Sequence, residues 1–99
     1  MIDFGRIEGF DWDAGNARKN EQRGVSQADA EQIFFDPLLL VVPDDGHSLA
    51  EPRFHGLGSS AAARLLHVTF TLRQDGTKIR IISARAMSRK ERTYYEQKT

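Results

Sequence analysis

The sequence contains no cysteine. That absence excludes a disulfide framework, a thiolate zinc site and a cysteine nucleophile. Long apolar runs are missing too: the longest, Leu38 to Pro43, falls far short of the ~20 residues that a membrane span needs. The stretch Met1 to Arg6 has no basic segment leading into an apolar one. A soluble, cytoplasmic protein is expected. Excess charge of one sign is the third absence, since fourteen Lys and Arg balance fourteen Asp and Glu. Taken whole, a net charge of zero argues against a nucleic-acid binder. Taken in halves it does not: residues 1–50 carry four basic and ten acidic side chains, and residues 51–99 carry ten basic and four acidic. An asymmetry of that size points to a surface for nucleic acid or another charged partner.

What is present fits a single domain over residues 1–99. A folded unit takes ~100–200 residues. A 39% hydrophobic fraction is more than a disordered chain carries. Phe10 and Trp12 alternate with Asp11 and Asp13, the pattern of a half-buried strand that ends at a helix cap, Asp13. Residues 14–23 read as a short helix closed by Gly24. Ser26 with Asp29 three residues on starts a second helix, whose apolar face is Ala30, Ile33 and Phe34, and which stops before Asp36-Pro37.

A buried strand is expected over Leu38–Val42, between two prolines, and an exposed loop over Asp44–Ser48. A strand over Arg53–Leu57 and a turn at Gly58–Ser60 follow. Leu66, Val68, Phe70 and Leu72 then alternate with His67, Thr69 and Thr71. Asp75-Gly76 signals a two-residue hairpin turn into a strand over Lys78–Ala84. Regular alternation puts Ile79, Ile81 and Ser83 on one face of that strand and Arg80, Ile82 and Ala84 on the other. Ser88-Arg89-Lys90-Glu91 is a capping box that opens a C-terminal helix to about Gln97. The class is α+β: an antiparallel sheet of about four strands, two N-terminal helices and one C-terminal helix.

The basic residues concentrate in the C-terminal third: Arg64, Arg73, Lys78, Arg80, Arg85, Arg89, Lys90 and Arg92. Guanidinium groups bind phosphate oxygens bidentately and stay protonated at any working pH, so a strand and helix bearing several can hold a nucleic-acid backbone. Tyr94, Tyr95 and Phe54 are candidates to stack on unpaired bases. His47, His55 and His67 carry imidazole, a group that in general titrates near neutrality, but their spacings match no metal signature, and no metal or cofactor is expected. The glycines do not form a phosphate loop.

The runs Phe10-Asp11-Trp12-Asp13, Arg23-Gly24-Val25-Ser26, Phe35-Asp36-Pro37 and Glu51-Pro52-Arg53-Phe54 with Gly56 and Gly58 are similar to those of the BrnT toxins of bacterial type II toxin–antitoxin systems. The most specific part of the resemblance is Ile79-Arg80-Ile81-Ile82-Ser83-Ala84-Arg85, followed by Ser88, Glu91, Arg92 and Tyr95. Departures lie near the first helix: Asn16 stands where family members often carry a lysine, Arg23 at the place of a Lys-His-Gly, Gln27 where an aromatic residue is common, and Lys19 is a candidate substitute for the missing lysine.

The resemblance implies a RelE-like fold and a metal-independent endoribonuclease that inhibits translation. It also implies a BrnA-type antitoxin as partner in a toxin–antitoxin hetero-oligomer that contacts promoter DNA only through the antitoxin. Cleavage of this kind needs an activated 2′-hydroxyl, a stabilised phosphate and a protonated leaving group. Arg80 and Arg85 are expected to stabilise the phosphate, with Glu91 and Tyr95 as candidates for proton transfer and His55 and His67 as possible bases. Lys19, Arg53, Arg64, Lys78, Arg89 and Arg92 are expected to bind RNA. The competing expectation is a non-catalytic module that grips nucleic acid or a partner with the same basic half.

Overall fold

The structure is a computed structural model that describes residues 2–12, 15, 18–19, 24–46 and 51–98. Among these, β1 (Gly9–Asp11), helix α1 (Gln27–Gln32, continued by a 3-10 turn, Ile33–Phe35), β2 (Leu40–Pro43), β3 (Arg53–Ser59), β4 (Leu65–Arg73), β5 (Lys78–Ala86) and helix α2 (Arg89–Lys98) follow in order. The strands form one five-stranded sheet in the order β1-β5-β4-β3-β2.

The sheet is mixed, where an antiparallel one of about four strands was expected. β1 is the fifth strand and runs parallel to β5, with Phe10 opposite Ile79 and Asp11 opposite Arg80. The reason is local: Phe10 packs against the core while Asp11, on the other face, pairs with Arg80 at 3.2 Å. Asp13 and most of the helix expected over 14–23 lie outside the described residues, although Gly15, Arg18 and Lys19 are helical. Gly24 adopts a φ of 81°, the left-handed conformation that glycine takes at least steric cost.

Helix α1 begins as its sequence dictates. The Asp29 N–H donates to the Ser26 hydroxyl at 3.1 Å, and Ala30 and Ile33 are fully buried on one face. That face lies on the sheet against Leu66, Val68, Phe70, Ile79, Ile81 and Ala84. Phe34 meets Phe70 edge-on at 4.9 Å between ring centroids. Gly58 permits this close approach, because a Cβ there would stand 2.9 Å from that of Ile33.

Three local expectations are corrected. The segment Leu38–Val42 is not a buried strand: β2 is an edge strand, and Leu38 and Val42 are exposed. Ser59 belongs to β3, and the turn falls at Ser60–Ala63, closed by the Ala63 N–H on the Ser60 carbonyl at 2.9 Å. The β4–β5 connection has four residues rather than two, since Arg73 pairs with Lys78. Gln74, Asp75 and Gly76 all take positive φ in it.

The largest departure from the expected pattern lies in β5. The β4–β5 register slips by one residue, from Thr69 opposite Ser83 to Phe70 opposite Ile81, so Ile82 is an extra residue, a β-bulge. Beyond it the faces of β5 exchange. Ala84 joins Ile79 and Ile81 in the core, and Arg80, Ser83 and Arg85 share the opposite face. Regular alternation would have put two residues five apart on opposite sides.

Candidate functional site

The face of the sheet turned away from α1 is laid out in rows by the strand register. Arg53, Thr71, Arg80 and Asp11 form one row; His55, Thr69 and Ser83 the next; Leu57, His67 and Arg85 the third. Helix α2 lies over the end of this face nearest Arg85, packing Tyr95 against Leu57 and Met87 with Leu40 and Leu65 at the margin. Between α2 and the sheet opens a cleft of about 370 Å³ lined by Val42, His55, Leu57, His67, Lys90, Glu91 and Tyr94.

The start of α2 builds the charged wall of the cleft. The Ser88 hydroxyl accepts from the Glu91 N–H at 3.2 Å, and the Glu91 carboxylate accepts from the Ser88 N–H at 2.9 Å, a closed capping box. The same carboxylate receives a bidentate pair from Arg85 at 2.7 and 2.8 Å. Those guanidinium bonds, against the opposing effect of burial and with help from Ser88, bring the Glu91 carboxyl down to about 2. The Arg85 guanidinium is raised in turn by its bonds to Glu91. Glu91 is therefore a fixed anion at neutral pH, without a proton to donate.

Two imidazoles form the floor. His55 lies opposite Thr69, and His67, opposite Leu57, is its diagonal neighbour, so the two rings sit 4.9 Å apart at 33°. His55 bonds through Nδ1 to the Thr69 hydroxyl at 3.0 Å and through Nε2 to the Asp44 carboxylate at 2.9 Å. His67 is buried, with Nε2 at 3.9 Å from Glu91. Burial first, and then the positive charge of Arg85, lower its pKa from the ordinary 6.5, with Glu91 acting in the opposite direction. Its Nδ1 has no hydrogen-bond partner among the described residues. No group of three or more His, Asp or Glu among the described residues is arranged to hold a metal ion.

The remaining residues singled out in the sequence divide between the two sides. Arg80 is on the site face, held by Asp11. It stands four residues along β4 from the His67–Arg85 row, roughly 13 Å at ~3.3 Å per residue. Arg53 and Lys78 lie on the same face as Arg80. Arg89 and Arg92 are exposed on α2. Arg64 belongs elsewhere: it bonds the Gly24 carbonyl at 2.9 Å and Asp29 at 3.1 Å, on the α1 side. Lys19 is exposed and is not part of the cleft lining. His47 lies outside the described residues.

Tyr95 faces away from the cleft. It is buried, and its hydroxyl donates to Asp36 at 2.6 Å. Burial and that acceptor push it up to about 12. Burial acts to raise Asp36, but the bonds from Tyr95 and from the Ser59 and Leu38 N–H groups hold its carboxyl below the usual value. Asp36 thus ties α2, β3 and the end of the α1 segment together. Asp44, which the sequence presented as a loop residue, orients His55. The residues alone carried one signal for it, a carboxylate just past a strand end, and that signal is too common to be read without the β2–β3 register.

No helix among the described residues is long and apolar enough to cross a membrane. No curated protein matches the sequence. Among solved structures, the ribonuclease toxin BrnT of Brucella abortus is similar, with a TM-score of 0.61 over 82% of this chain and 97% of that one, at 20% identity. That likeness concerns the fold. The family model for the ribonuclease toxin BrnT of type II toxin–antitoxin systems matches residues 12–91. This span holds every residue lining the cleft except Tyr94. The chain belongs to the BrnT family of ribonuclease toxins of type II toxin–antitoxin systems.

Proposed function

We propose that this chain acts as a single-domain, metal-independent endoribonuclease of RelE-like type. In this reading it cleaves RNA in the cytoplasm to inhibit translation, and a BrnA-type antitoxin neutralises it in a hetero-oligomer that reaches promoter DNA through the antitoxin. The observation that supports the reading best is the convergence of His67, His55, Lys90 and Glu91 on one cleft, with Arg85 held beside it by Glu91 on a sheet face bearing further arginines.

In this reading the 2′-oxygen attacks the adjacent phosphorus, the bond to the 5′-oxygen breaks, and a proton passes from the 2′-hydroxyl to a base while another reaches the leaving oxygen. Arg85 stabilises the charge that develops on the phosphate, exchanging Glu91 oxygens for phosphate oxygens of like geometry. Arg80, Arg53 and Lys78 hold neighbouring phosphates along the same face, and Arg89 and Arg92 extend the track onto α2. Proton transfer is assigned to the His55–His67 pair. His67, kept neutral by its depressed pKa, is the acceptor, and Asp44 orients His55. Glu91 positions Arg85, and Tyr95 anchors α2.

The test is purified protein incubated with end-labelled single-stranded RNA, with and without chelator. Cleavage that persists in chelator is the expected outcome. Retention of uncut RNA would overturn catalysis in favour of a binding module. Inducible expression should arrest growth, and co-expression of a neighbouring antitoxin gene should relieve the arrest.

A further inference from the structure

Adjacent tyrosines on α2 have opposite fates, and the difference defines a ligand. Tyr95 is buried and committed to Asp36. Tyr94 is 43% exposed and lines the cleft across from the histidine pair. An exposed aromatic ring at the mouth of a cavity walled by Val42, Leu57 and two imidazoles, with Lys90 and Glu91 beside it, offers flat, weakly hydrated surface on more than one side. Positive charge outnumbers negative at the opening, where the Glu91 carboxylate is already paired with Arg85. Lys90 stands one helical turn before Tyr94, Arg85 lies at the sheet end, and the Lys98 ammonium is 5.6 Å from the Tyr94 ring centroid.

We infer that the cleft is a subsite for one unpaired nucleobase of single-stranded RNA, stacked on Tyr94, with the flanking phosphate directed to Lys90 and Arg85. The inference rests on the ribonuclease reading and adds the substrate class to it. A cavity of about 370 Å³ lies at the small end of ligand sites, which run from ~300 to ~1,000 Å³. It has room for a single base, and a base can enter only if it is unpaired and turned out of its stack. Both ring nitrogens of His55 are engaged by protein groups, the unpartnered Nδ1 of His67 is buried, and the Glu91 oxygens are taken by Arg85 and Ser88, which leaves stacking rather than edge recognition as the main attraction. Stacking on an aromatic ring tolerates any base, so the subsite selects strandedness more than sequence.

The experiment uses a 2′-O-methyl RNA oligonucleotide, which cannot be cleaved, carrying 2-aminopurine, and compares the wild type with Tyr94→Phe and Tyr94→Ala. Binding to the wild type should quench the fluorophore. Tyr94→Phe should keep both quenching and affinity. Tyr94→Ala should lose the quenching and bind about 5- to 150-fold more weakly, the range for one stacked base. Affinity for a duplex of the same sequence should be unchanged. A Tyr94→Ala protein that quenches and binds the single strand like the wild type overturns the inference while leaving the ribonuclease reading intact. A wild type that neither binds nor cleaves RNA overturns both. Because Tyr94 is exposed, an unchanged melting temperature is expected and serves as the folding control.

Discussion

The two faces of this sheet are made by the same strands and serve different ends. On one, Val68, Phe70, Ile79, Ile81 and Ala84 are sealed under α1. On the other, the alternate residues of the same strands are Thr, Ser, His, Lys and Arg, and α2 covers only one end. The first face is held by apolar area removed from water, which is non-directional. The second is held by register, since each polar group must find its partner at a fixed strand position. Stability should therefore reside in the first face and activity in the second.

The sharpest way to break that division is to alter neighbours on β4. Phe70 is fully buried between Phe34 and Phe54, and Phe70→Ala should cost about 3–5 kcal/mol, lowering the urea midpoint severely or unfolding the protein. Thr69→Val, one residue away on the other face, removes the hydroxyl that bonds His55 and should cost about 1 kcal/mol. Equal losses in urea titrations would show that the faces are not energetically distinct.

Arg85→Ala tests the second face from the opposite direction. Loss of a fixed donor aimed at developing charge lowers cleavage about 10²–10³-fold, while the urea midpoint should move far less than for Phe70→Ala. Arg80→Ala, in the neighbouring-phosphate position, should weaken RNA binding and its salt dependence with a smaller effect on turnover. Single-turnover kinetics at two salt concentrations separates the two arginines. Equal loss of turnover would merge them into one role.

Much of the first face, together with the start of α2, was legible from the residues alone. The alternation from Leu66 to Leu72, the cap at Ser26 with Ala30 and Ile33 on one side, and the capping box at Ser88 all appear where the pattern puts them, because each rests on interactions within a few residues. The strand rows of the site face were legible only in composition. Placing Arg80 and Arg85 on one side needed the bulge at Ile82, and bringing His55 to Thr69 and His67 needed the true turn at Ser60–Ala63. Both are long-range register facts that no local window contains.

The division of charge between halves was read correctly as an asymmetry, but its arrangement in space was hidden. Asp11 pairs with Arg80, Asp29 with Arg64 and Asp44 with His55, so these three acids of the first half sit among bases of the second. Tyr95, read in sequence as a candidate for proton transfer, was indistinguishable there from its neighbour. Only the packing of α2 shows which tyrosine is the anchor.

Tyr95→Phe should accordingly remove a bond to a carboxylate and cost about 1.5–3 kcal/mol in urea, with cleavage per folded molecule unchanged. A fall in turnover without a fall in stability would return Tyr95 to the chemistry. The acid limb of stability sharpens the same contrast. Glu91 has a folded-state pKa of about 2 against an ordinary 4.5, so the stabilisation it contributes is complete above pH 4.5 and is lost as pH falls toward 2. Arg85→Ala removes the main cause of that depression, and the slope of stability against pH over this window should flatten. An unchanged slope would mean that the pair does not persist in solution.

The smallest effect belongs to Arg64, and it tests the boundary between the faces. Its ion pair with Asp29 is exposed, and such pairs contribute about 0–1 kcal/mol. Arg64→Ala should barely move the urea midpoint and should leave RNA affinity and its salt slope at wild-type values, because the side chain points to α1 and the Gly24 carbonyl. Composition grouped Arg64 with the other basic residues of the C-terminal third, whereas the register separates it from them. If Arg64→Ala weakened RNA binding as much as Arg80→Ala, the RNA track would have to pass around the sheet edge onto the α1 side, and strand position would no longer decide which arginines meet phosphate.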